Sequence, residues 1–266
     1  MRLYQNRIVI KVGTSTLTNE LGKSDLRSFD RLACVLSDLQ NMGCEVILVS
    51  SGAIAIGTNR LTMKNHPSSM RMKQAAAAVG QCRMMYLYDK FFGDYDKSIA
   101  QILLNAEDME QEEKKENLIN TFNALLELGI IPIVNENDSV SYTEIESDDR
   151  LFGDNDMLSA VVAVLCQAKR LVILSDINGL YDADPRLYPD AKLIRRIDQI
   201  DENVRSLAGG AGSRRGTGGM KTKLTAAHLA TSQGIDTIIT NGRSPEVLYD
   251  ILKGQPAGTL FTGKRI

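Results

Sequence analysis

Short runs of β-branched and other apolar residues alternate along this chain with longer segments in which apolar residues recur at helical spacing. In residues 25–42 the apolar side chains return every three or four positions, which is typical of an amphipathic helix. We expect Ser24 to cap this helix and Gly43 to end it. Further helices are predicted at 67–92, 117–128, 157–165, 220–233 and 245–252.

The apolar runs between these helices predict the strands of one sheet. They lie at 7–12, 45–49, 98–104, 130–134, 171–174 and 236–240. Strands that alternate with helices form parallel sheets covered on both faces. We therefore predict an α/β fold, an open and mainly parallel central sheet with helices on both faces in a three-layer sandwich. No linker or repeat interrupts the pattern, so residues 1–266 are expected to form a single domain.

Polar residues follow the first two strands at points where a ligand could approach the backbone. Lys11 interrupts the first apolar run, and a loop of glycine and hydroxyl residues is predicted at 13–16. Lysine is almost never fully buried without a partner. Its ammonium group therefore either reaches water at the strand end or belongs to a phosphate site formed with this loop. Ser50, Ser51 and Gly52 repeat the arrangement after the second strand.

Two mid-chain clusters of amides and carboxylates are candidates for ligand recognition. Residues 135–138 read Asn-Glu-Asn-Asp and end a strand, whereas residues 153–156 read Gly-Asp-Asn-Asp and precede a helix. An Asp or Asn at a helix start can be merely a cap. Ligands of open α/β sheets, however, bind at the carboxyl ends of the strands. We therefore favour a site for a small molecule that carries both an ammonium and a carboxylate.

A glycine-rich stretch at 209–223 leads into the predicted helix at 220–233. Free N–H groups at a helix start bind phosphate, and Lys223 would add a full positive charge. A flexible surface loop is the alternative interpretation. The Walker and dinucleotide patterns both fail here, and the protein-kinase motifs are missing from the sequence. By motif the chain is thus neither a P-loop enzyme, nor a protein kinase, nor a standard Rossmann dehydrogenase.

Composition narrows the class of protein further. The chain has 266 residues and 43% hydrophobic content, which is enough to form a substantial core. Its net charge of −2 does not indicate binding to nucleic acid or to an anionic membrane. Its four cysteines lack metal-site spacing and are interpreted as buried free thiols in a reducing compartment. Its two histidines are isolated, which argues against a histidine metal site. No signal segment or membrane span is evident, so we expect a soluble cytoplasmic protein.

Six motifs together resemble the amino-acid kinase family. They are Ile-Lys-Val-Gly-Thr-Ser at 10–15, Ser-Ser-Gly-Ala-Ile-Ala at 50–55, Asn-Glu-Asn-Asp at 135–138, Phe-Gly-Asp-Asn-Asp at 152–156, Ser-Asp at 175–176 with Gly-Leu-Tyr at 179–181, and Gly-Thr-Gly-Gly-Met-Lys-Thr-Lys at 216–223. They span nearly the whole chain in the family's order. The second, third and fourth are similar to the branch that phosphorylates the γ-carboxylate of L-glutamate in the first step of proline biosynthesis.

The resemblance implies a role for each matching residue. The predicted catalytic residues are Lys11 and Lys223 on the transferring phosphoryl group, with Asp156 holding the two lysines. L-glutamate would bind at Ser51, Asp138 and Asn155, mainly in the N-terminal half. ATP would bind mainly in the C-terminal half, and its predicted residues are Lys11, Gly13, Ser175, Asp176, Thr217, Gly218, Gly219, Met220, Lys221, Thr222 and Lys223. No residue is assigned as a direct metal ligand, because Mg²⁺ would be coordinated by the ATP phosphates.

The family resemblance also implies partners and leaves alternatives open. It implies a homo-oligomer (dimer or tetramer), feedback inhibition by L-proline and transfer of the acyl phosphate to a glutamyl phosphate reductase. Two departures are expected: no C-terminal PUA domain, and a longer acidic loop at 139–152 that could alter proline inhibition. The alternatives are another specificity in the family, such as N-acetylglutamate, and an inactive nucleotide- or amino-acid-binding regulator. The presence of Lys11, Asp156 and Lys223 argues against the regulator.

Overall fold

Eight strands form the central sheet in this computed structural model, which describes residues 6–19, 22–63, 67, 69–140, 155–208 and 219–264. The strands are β1 (Arg7–Val12), β2 (Glu45–Ser50), β3 (Ile99–Leu104), β4 (Ile131–Glu136), β5 (Arg170–Ser175), β6 (Arg196–Ile197), β7 (Asp236–Asn241) and β8 (Thr259–Phe261). Their order is β3-β4-β2-β1-β5-β7-β8-β6, and every neighbouring pair is parallel except β7 with β8. The predicted open, mainly parallel sheet is confirmed.

Helices occupy the segments between the strands. In the described residues they are α1 (Thr14–Leu17), α2 (Leu26–Asn41), α3 (Ala53–Arg60), α4 (Met70–Gly93), α5 (Glu112–Glu127), α6 (Asn155–Leu165), α7 (Glu202–Ser206), α8 (Met220–Ser232) and α9 (Val247–Leu252), with a 3₁₀ turn at Ala106–Met109. None of these helices combines the length and the apolar character that crossing a membrane requires.

Side chains of β1 alternate between the two faces of the sheet, as a strand period of two requires. Ile8, Ile10 and Val12 belong to one apolar cluster, which also contains residues of α2, α4 and α9. Val9 belongs to a second cluster, which also contains residues of α5, α6 and α8. The predicted helices on both faces are therefore confirmed. By the same alternation, Lys11 points to the face that α6 and α8 cover.

Several local predictions need correction. The predicted loop at 13–16 forms the single helical turn α1. Asp25, not Ser24, caps α2, because its carboxylate accepts hydrogen bonds from the backbone N–H groups of Arg27 and Ser28. A separate helix, α3, lies in the segment 53–60, for which no helix was predicted. Cys82 is exposed, because it lies on a face of α4 that the core does not cover.

Two glycines allow α3 and α4 to pack with their backbones in contact. A Cβ atom on Gly57 would lie 1.8 Å from the carbonyl oxygen of Ala76 on α4. A Cβ atom on Gly80 would lie 1.7 Å from the carbonyl oxygen of Ala53 on α3. No side chain fits in either space. This crossing places α4 beside the carboxyl ends of β2 and β4, where the candidate site lies.

Candidate active site

Lys11 and Asp156 form a buried ion pair where β1 meets α6. Lys11 Nζ lies 2.6 Å from Asp156 Oδ1, and the two residues are only 5% and 0% exposed. Strand alternation aims Lys11 at this face, and α6 begins one residue before Asp156. A carboxylate in the first turn of a helix is also stabilised by the helix dipole. The sequence-predicted pairing of these residues is therefore present in the structure.

Lys223 approaches the same carboxylate from α8. Its Nζ donates to Asp156 Oδ2 at 3.0 Å, and Lys223 is 6% exposed. The hydroxyl of Thr222 lies 3.1 Å from Asp156 Oδ2 and 3.0 Å from the carbonyl oxygen of Gly219. The packing of α6 against α8 brings these groups together. One aspartate thus joins two lysines that are 212 positions apart in the sequence.

The electrostatics of this triad leave it with one net positive charge. Burial alone would raise the pKa of Asp156, but the attraction of Lys11 and Lys223 outweighs burial and holds the pKa of the carboxyl well below its usual range. The carboxylate therefore stays ionised at neutral pH. Two cations and one anion in a buried site favour an anionic ligand, because a buried charge needs a compensating partner.

The turns that follow β1 and β2 pack against each other beside the triad. Gly13 follows Lys11 closely enough that a Cβ atom there would lie 3.8 Å from Lys11 Nζ. Ser51 is tied to the end of β1, because its hydroxyl donates to the carbonyl oxygen of Val12 at 3.0 Å. Gly52 has a φ of +112°, a left-handed conformation that favours glycine. The predicted residues Gly13 and Ser51 therefore both lie at this edge.

A small cavity lies on the β5 side of the triad. Ser175 ends β5 and Asp176 follows it, and the Ser175 hydroxyl donates to Asp176 Oδ1 at 3.2 Å. The cavity beyond them has a volume of about 130 Å³. Its lining residues are Ile177, Leu180, Tyr181, Ala183, Asp184, Pro185, Arg186, Ser206, Leu207, Ala208 and Met220. The lining mixes apolar side chains with the polar groups of Tyr181, Asp184, Arg186 and Ser206, a combination that is common in small-molecule sites.

A larger cavity lies on the opposite side, beyond β2 and β4. Its volume is about 430 Å³, and the walls are formed by Ala53, Ala77, Ala78, Gln81, Cys82, Met85, Gln101, Leu103, Glu136, Asn137, Asp138 and Ser139. Burial raises the pKa of Asp138 to about 6. A carboxylate in such a wall can hold the ammonium group of a small ligand.

The carboxyl edge of the sheet arranges these parts in a line. From β4 through β2, β1 and β5 to β7 there are four steps between neighbouring strands. At about 4.8 Å per step, the edge spans about 19 Å. The triad lies near the middle, with one cavity on either side. This arrangement can hold two ligands with their reacting ends together at the lysines.

Only some of the predicted site residues are in direct contact with one another among the described residues. Lys11, Asp156, Lys223 and Thr222 are in direct contact, whereas Lys221 is exposed on α8. Asn155 is the first residue of α6, and its Oδ1 is buried with no hydrogen-bond partner among the described residues. Met220 is the first residue of α8, and Gly219 immediately precedes it. The predictions for Thr217, Gly218, the stretch 209–218 and most of the acidic loop at 139–152, from residue 141 on, fall outside the described residues.

Sequence reasoning missed several residues at this edge. Asn241 ends β7 and donates to Asn178 Oδ1 at 2.9 Å, and Asn178 in turn lies 3.2 Å from the hydroxyl of Tyr181. Gln81 on α4 accepts a hydrogen bond from Asn135 at 2.9 Å. The sequence pattern could have indicated Asn241, since this residue follows a predicted strand. It could not have indicated Gln81, which lies in the middle of a helix.

Comparison with known proteins decides the family. The family model for the amino acid kinase family matches residues 6–241, which is most of the chain. This chain belongs to the amino acid kinase family. The matched range contains Lys11, Asp156 and Lys223, so the family assignment and the buried triad concern the same part of the molecule.

Relatives within the amino acid kinase family cover nearly the whole chain. A glutamate 5-kinase of Clostridium perfringens is 54% identical over 97% of this chain and 96% of its own length. A glutamate 5-kinase of Listeria innocua is 49% identical over 97% of this chain and 94% of its own length.

Solved structures share the family fold at lower sequence identity. A carbamate kinase of Giardia lamblia bound to AMP-PNP has a TM-score of 0.67 at 15% identity, with 97% of this chain and 98% of that chain covered. A UMP kinase of Bacillus anthracis has a TM-score of 0.64 at 14% identity, with 98% and 97% covered. At these identities the likeness concerns the fold alone.

Proposed function

We propose that this chain uses ATP to phosphorylate the γ-carboxylate of L-glutamate, forming γ-glutamyl phosphate, the first step of proline biosynthesis. Relatives that are named glutamate 5-kinase and are about half identical over nearly the full chain support this substrate and this reaction. The observation that carries the mechanism is the buried triad, in which Asp156 lies between Lys11 and Lys223.

The chemistry of the transfer fits this triad. The γ-carboxylate of glutamate has an ordinary pKa of about 4.3, so it is already an ionised nucleophile at neutral pH and needs no general base. The difficulty is that two anions must approach each other. Alignment and neutralisation of the phosphoryl charge must therefore supply the catalysis. Two preorganised ammonium groups provide that neutralisation, and Asp156 limits their mutual repulsion.

Each lysine has a position that suits its proposed role. Lys11 lies near the end of β1, between the two cavities, so we assign it to the phosphoryl group as it passes to glutamate. Lys223 belongs to the first turn of α8, where free backbone N–H groups can also bind an anion. We therefore assign Lys223 to the phosphates of the nucleotide. Neither lysine has to release its proton in the reaction. Both act through charge and position.

The residues described do not offer a metal site of their own. They contain no cluster of three or more His, Cys, Asp or Glu side chains that could hold a metal ion. Both oxygens of Asp156 are already within 3.0 Å of an ammonium group, which leaves this carboxylate poorly suited as a metal ligand. We therefore propose that Mg²⁺ is part of the MgATP substrate, where it neutralises phosphate charge.

The two cavities suggest which substrate lies on which side. Asp138 is an anionic partner for the α-ammonium of glutamate in the larger cavity, and this favours a free amino acid over N-acetylglutamate. Ser51 and Asn155 remain proposed glutamate ligands. The smaller cavity, with Ser175, Asp176 and Met220 beside it, is proposed for the nucleoside of ATP, with Gly13, Gly219, Lys221 and Thr222 nearer its phosphates.

Several broader statements also remain proposals from the family resemblance. We propose one amino-acid kinase domain, with the glutamate site mainly in its N-terminal half and the ATP site mainly in its C-terminal half. We further propose cytoplasmic location, a dimer or tetramer of this chain, feedback inhibition by L-proline and delivery of the acyl phosphate to a glutamyl phosphate reductase.

The deciding experiment measures ATP turnover with Mg²⁺ and either L-glutamate, N-acetylglutamate or L-aspartate. Hydroxylamine is present to trap the acyl phosphate as a hydroxamate. We expect hydroxamate from L-glutamate alone. Hydroxamate from N-acetylglutamate would overturn the substrate assignment. No hydroxamate from any of the three, with ATP still bound, would favour the non-catalytic regulator.

A further inference from the structure

Helix α4 forms one wall of the larger cavity and also contacts the strand ends behind that wall. Gln81 lines the cavity, and its side chain accepts a hydrogen bond from Asn135 Nδ2 at 2.9 Å. Asn135 lies in β4 three residues before Asp138 and is 1% exposed. Gln81 therefore links α4, which has no residue in the triad, to β4, the strand that leads to the proposed ammonium site at Asp138.

Strand register explains why Asn135 faces α4. Leu48 pairs with Ile133 across β2 and β4, and both belong to the apolar cluster on the α4 side of the sheet. Asn135, two residues after Ile133, projects to the same side. Its neighbour in β2 is Ser50, whose hydroxyl contacts the hydroxyl of Tyr88 on α4 at 2.8 Å. Two polar contacts thus hold α4 against the ends of both strands.

The amide pair is only half satisfied. Among the described residues, neither Asn135 Oδ1 nor Gln81 Nε2 has a hydrogen-bond partner, although both atoms are buried. The nitrogen and oxygen of an amide can be exchanged by rotating the group. If both side chains are rotated, the hydrogen bond is kept with donor and acceptor exchanged, so the pair still retains one unused donor and one unused acceptor. The unused donor can bind a carboxylate and the unused acceptor can bind an ammonium group, so the pair suits a ligand that has both.

A buried unsatisfied donor or acceptor is unfavourable unless something completes it. We propose that Gln81 is a positioning residue for the amino-acid substrate: it fixes the side chain of Asn135, and the α-carboxylate and α-ammonium of the amino acid complete the hydrogen bonds of the amide pair. This inference rests on the proposed function and deepens it, because it assigns recognition of the non-reacting end of glutamate to α4. The γ-carboxylate is left free to reach the lysines.

The test compares the wild type with Gln81→Met, which keeps the length of the side chain and removes the amide. We expect the KM for L-glutamate to rise about 10- to 100-fold, since hydrogen bonds to charged groups are lost. The KM for ATP and kcat should change less than about threefold, because Gln81 lines the proposed glutamate cavity and is not part of the triad. In the double variant with Asn135→Leu, the rise in the KM for L-glutamate should be smaller than the product of the two single rises, because Asn135 is no longer there for Gln81 to fix.

Gln40→Met is the matched control. Gln40 also makes one side-chain hydrogen bond, to the carbonyl oxygen of Gly129, but it lies at the far end of β4 from the cavity. Its kinetic constants should match the wild type. Equal rises in both KM values for Gln81→Met, an unchanged KM for L-glutamate, or additive effects in the double variant would each overturn the inference.

A second measurement does not depend on turnover. Cys82 is exposed, follows Gln81 in α4 and lines the same cavity, so its alkylation reports on occupancy. L-glutamate should protect Cys82 from iodoacetamide in the wild type, and Gln81→Met should need about 10- to 100-fold more L-glutamate for the same protection. Protection at the same concentration in both proteins would overturn the inference. A wild type that forms no hydroxamate from L-glutamate overturns the proposed function instead.

Discussion

Asp156 is the residue on which the chemistry of this site depends. It is fully buried, and both of its oxygens are used, one by each lysine. Without it, two ammonium groups would share a buried space with no anion, which is strongly unfavourable. With Asp156 in place, the lysines keep fixed positions before any ligand arrives. Preorganised charge of this kind needs no rearrangement during the reaction.

Replacing Lys223 tests this arrangement. Lys223→Ala should lower kcat at least ~100-fold, since loss of one preorganised electrostatic contact costs roughly 2.7–4 kcal/mol in the transition state. The Lys11–Asp156 pair would remain, so the protein should still fold. Lys253→Ala, at an exposed position after α9, is the control. Steady-state kinetics with hydroxamate detection give the answer. Near-normal turnover in Lys223→Ala would remove this residue from the mechanism.

Asp138 predicts how glutamate affinity depends on pH. Burial raises the pKa of Asp138 to about 6, so the carboxyl takes up a proton as the pH falls through that value. The neutral form no longer attracts the α-ammonium. The KM for L-glutamate should therefore rise as the pH is lowered from 8 to 5, with its steepest change near 6, while the KM for ATP does not follow.

Asp138→Asn provides the comparison for this pH profile. The amide has no titrating proton, so the KM for L-glutamate should be high at every pH and the step near 6 should disappear. Glu136 is the other acid that lines the cavity, and it is unchanged in this variant. A step that persists in Asp138→Asn would assign the titration to another group.

At the scale of single residues, sequence reasoning succeeded where a residue type was unusual for its place. Lys11 was identifiable because lysine is rare in an apolar strand, and Asp156 because it belongs to a polar cluster at a predicted helix start. Gln81 was not identifiable, since glutamine is ordinary in a helix. Only the packing of α4 on β4 shows that its amide meets Asn135.

At the scale of elements, the crossing of α3 and α4 depends on two glycines. Neither helix has room for a Cβ atom at the crossing. Gly52 immediately precedes α3 and Ser51 comes before it, so the position of α3 also sets the turn that lies beside Lys11. A change at the crossing should therefore affect both stability and the site.

Gly80→Ala should destabilise the protein by about 3 kcal/mol, the upper end for overpacking, because the added carbon meets backbone rather than a movable side chain. Gly93→Ala is the control in the same helix, since no atom lies within 4 Å of a Cβ there. That change should be neutral or raise stability by about 0.5–1 kcal/mol. Urea unfolding measures both variants. Equal stability of the two variants would contradict the close packing of α3 and α4.

At the scale of the whole molecule, the four cysteines differ in how deeply they are buried. Cys44 and Cys166 are buried, Cys34 is half-buried and Cys82 is exposed. Burial raises the pKa of the Cys166 thiol to about 12 and also raises the pKa of Cys44. The thiolate is the reactive form, so exposure and pKa act in the same direction. Reactivity of the thiols therefore reports on the integrity of the fold.

Alkylation of the native protein followed by mass spectrometry should modify Cys82 first. Cys34 should react more slowly, and Cys44 and Cys166 should react only as the protein unfolds. Cys82→Ser should remove the fast phase and leave the others unchanged. Rapid modification of Cys166 in the native protein would contradict the burial of its helix end against the sheet.

The sequence by itself determined the alternation of strands and helices, and with it the sheet with two covered faces. These follow from local periodicity and from where charged residues interrupt it. It also identified the motifs that end β1, β2, β4 and β5. Their functional residues lie at strand ends because only there does a parallel sheet leave side chains and backbone open to a ligand.

Tertiary structure alone decided which of these residues meet. The order of strands brings the ends of β4, β2, β1 and β5 into one line, although they are far apart in sequence. The packing of α6 on α8 joins Lys223 to Asp156, and the glycine contact of α3 with α4 brings Gln81 to Asn135. Such contacts depend on how elements pack at a distance along the chain, which local periodicity does not encode.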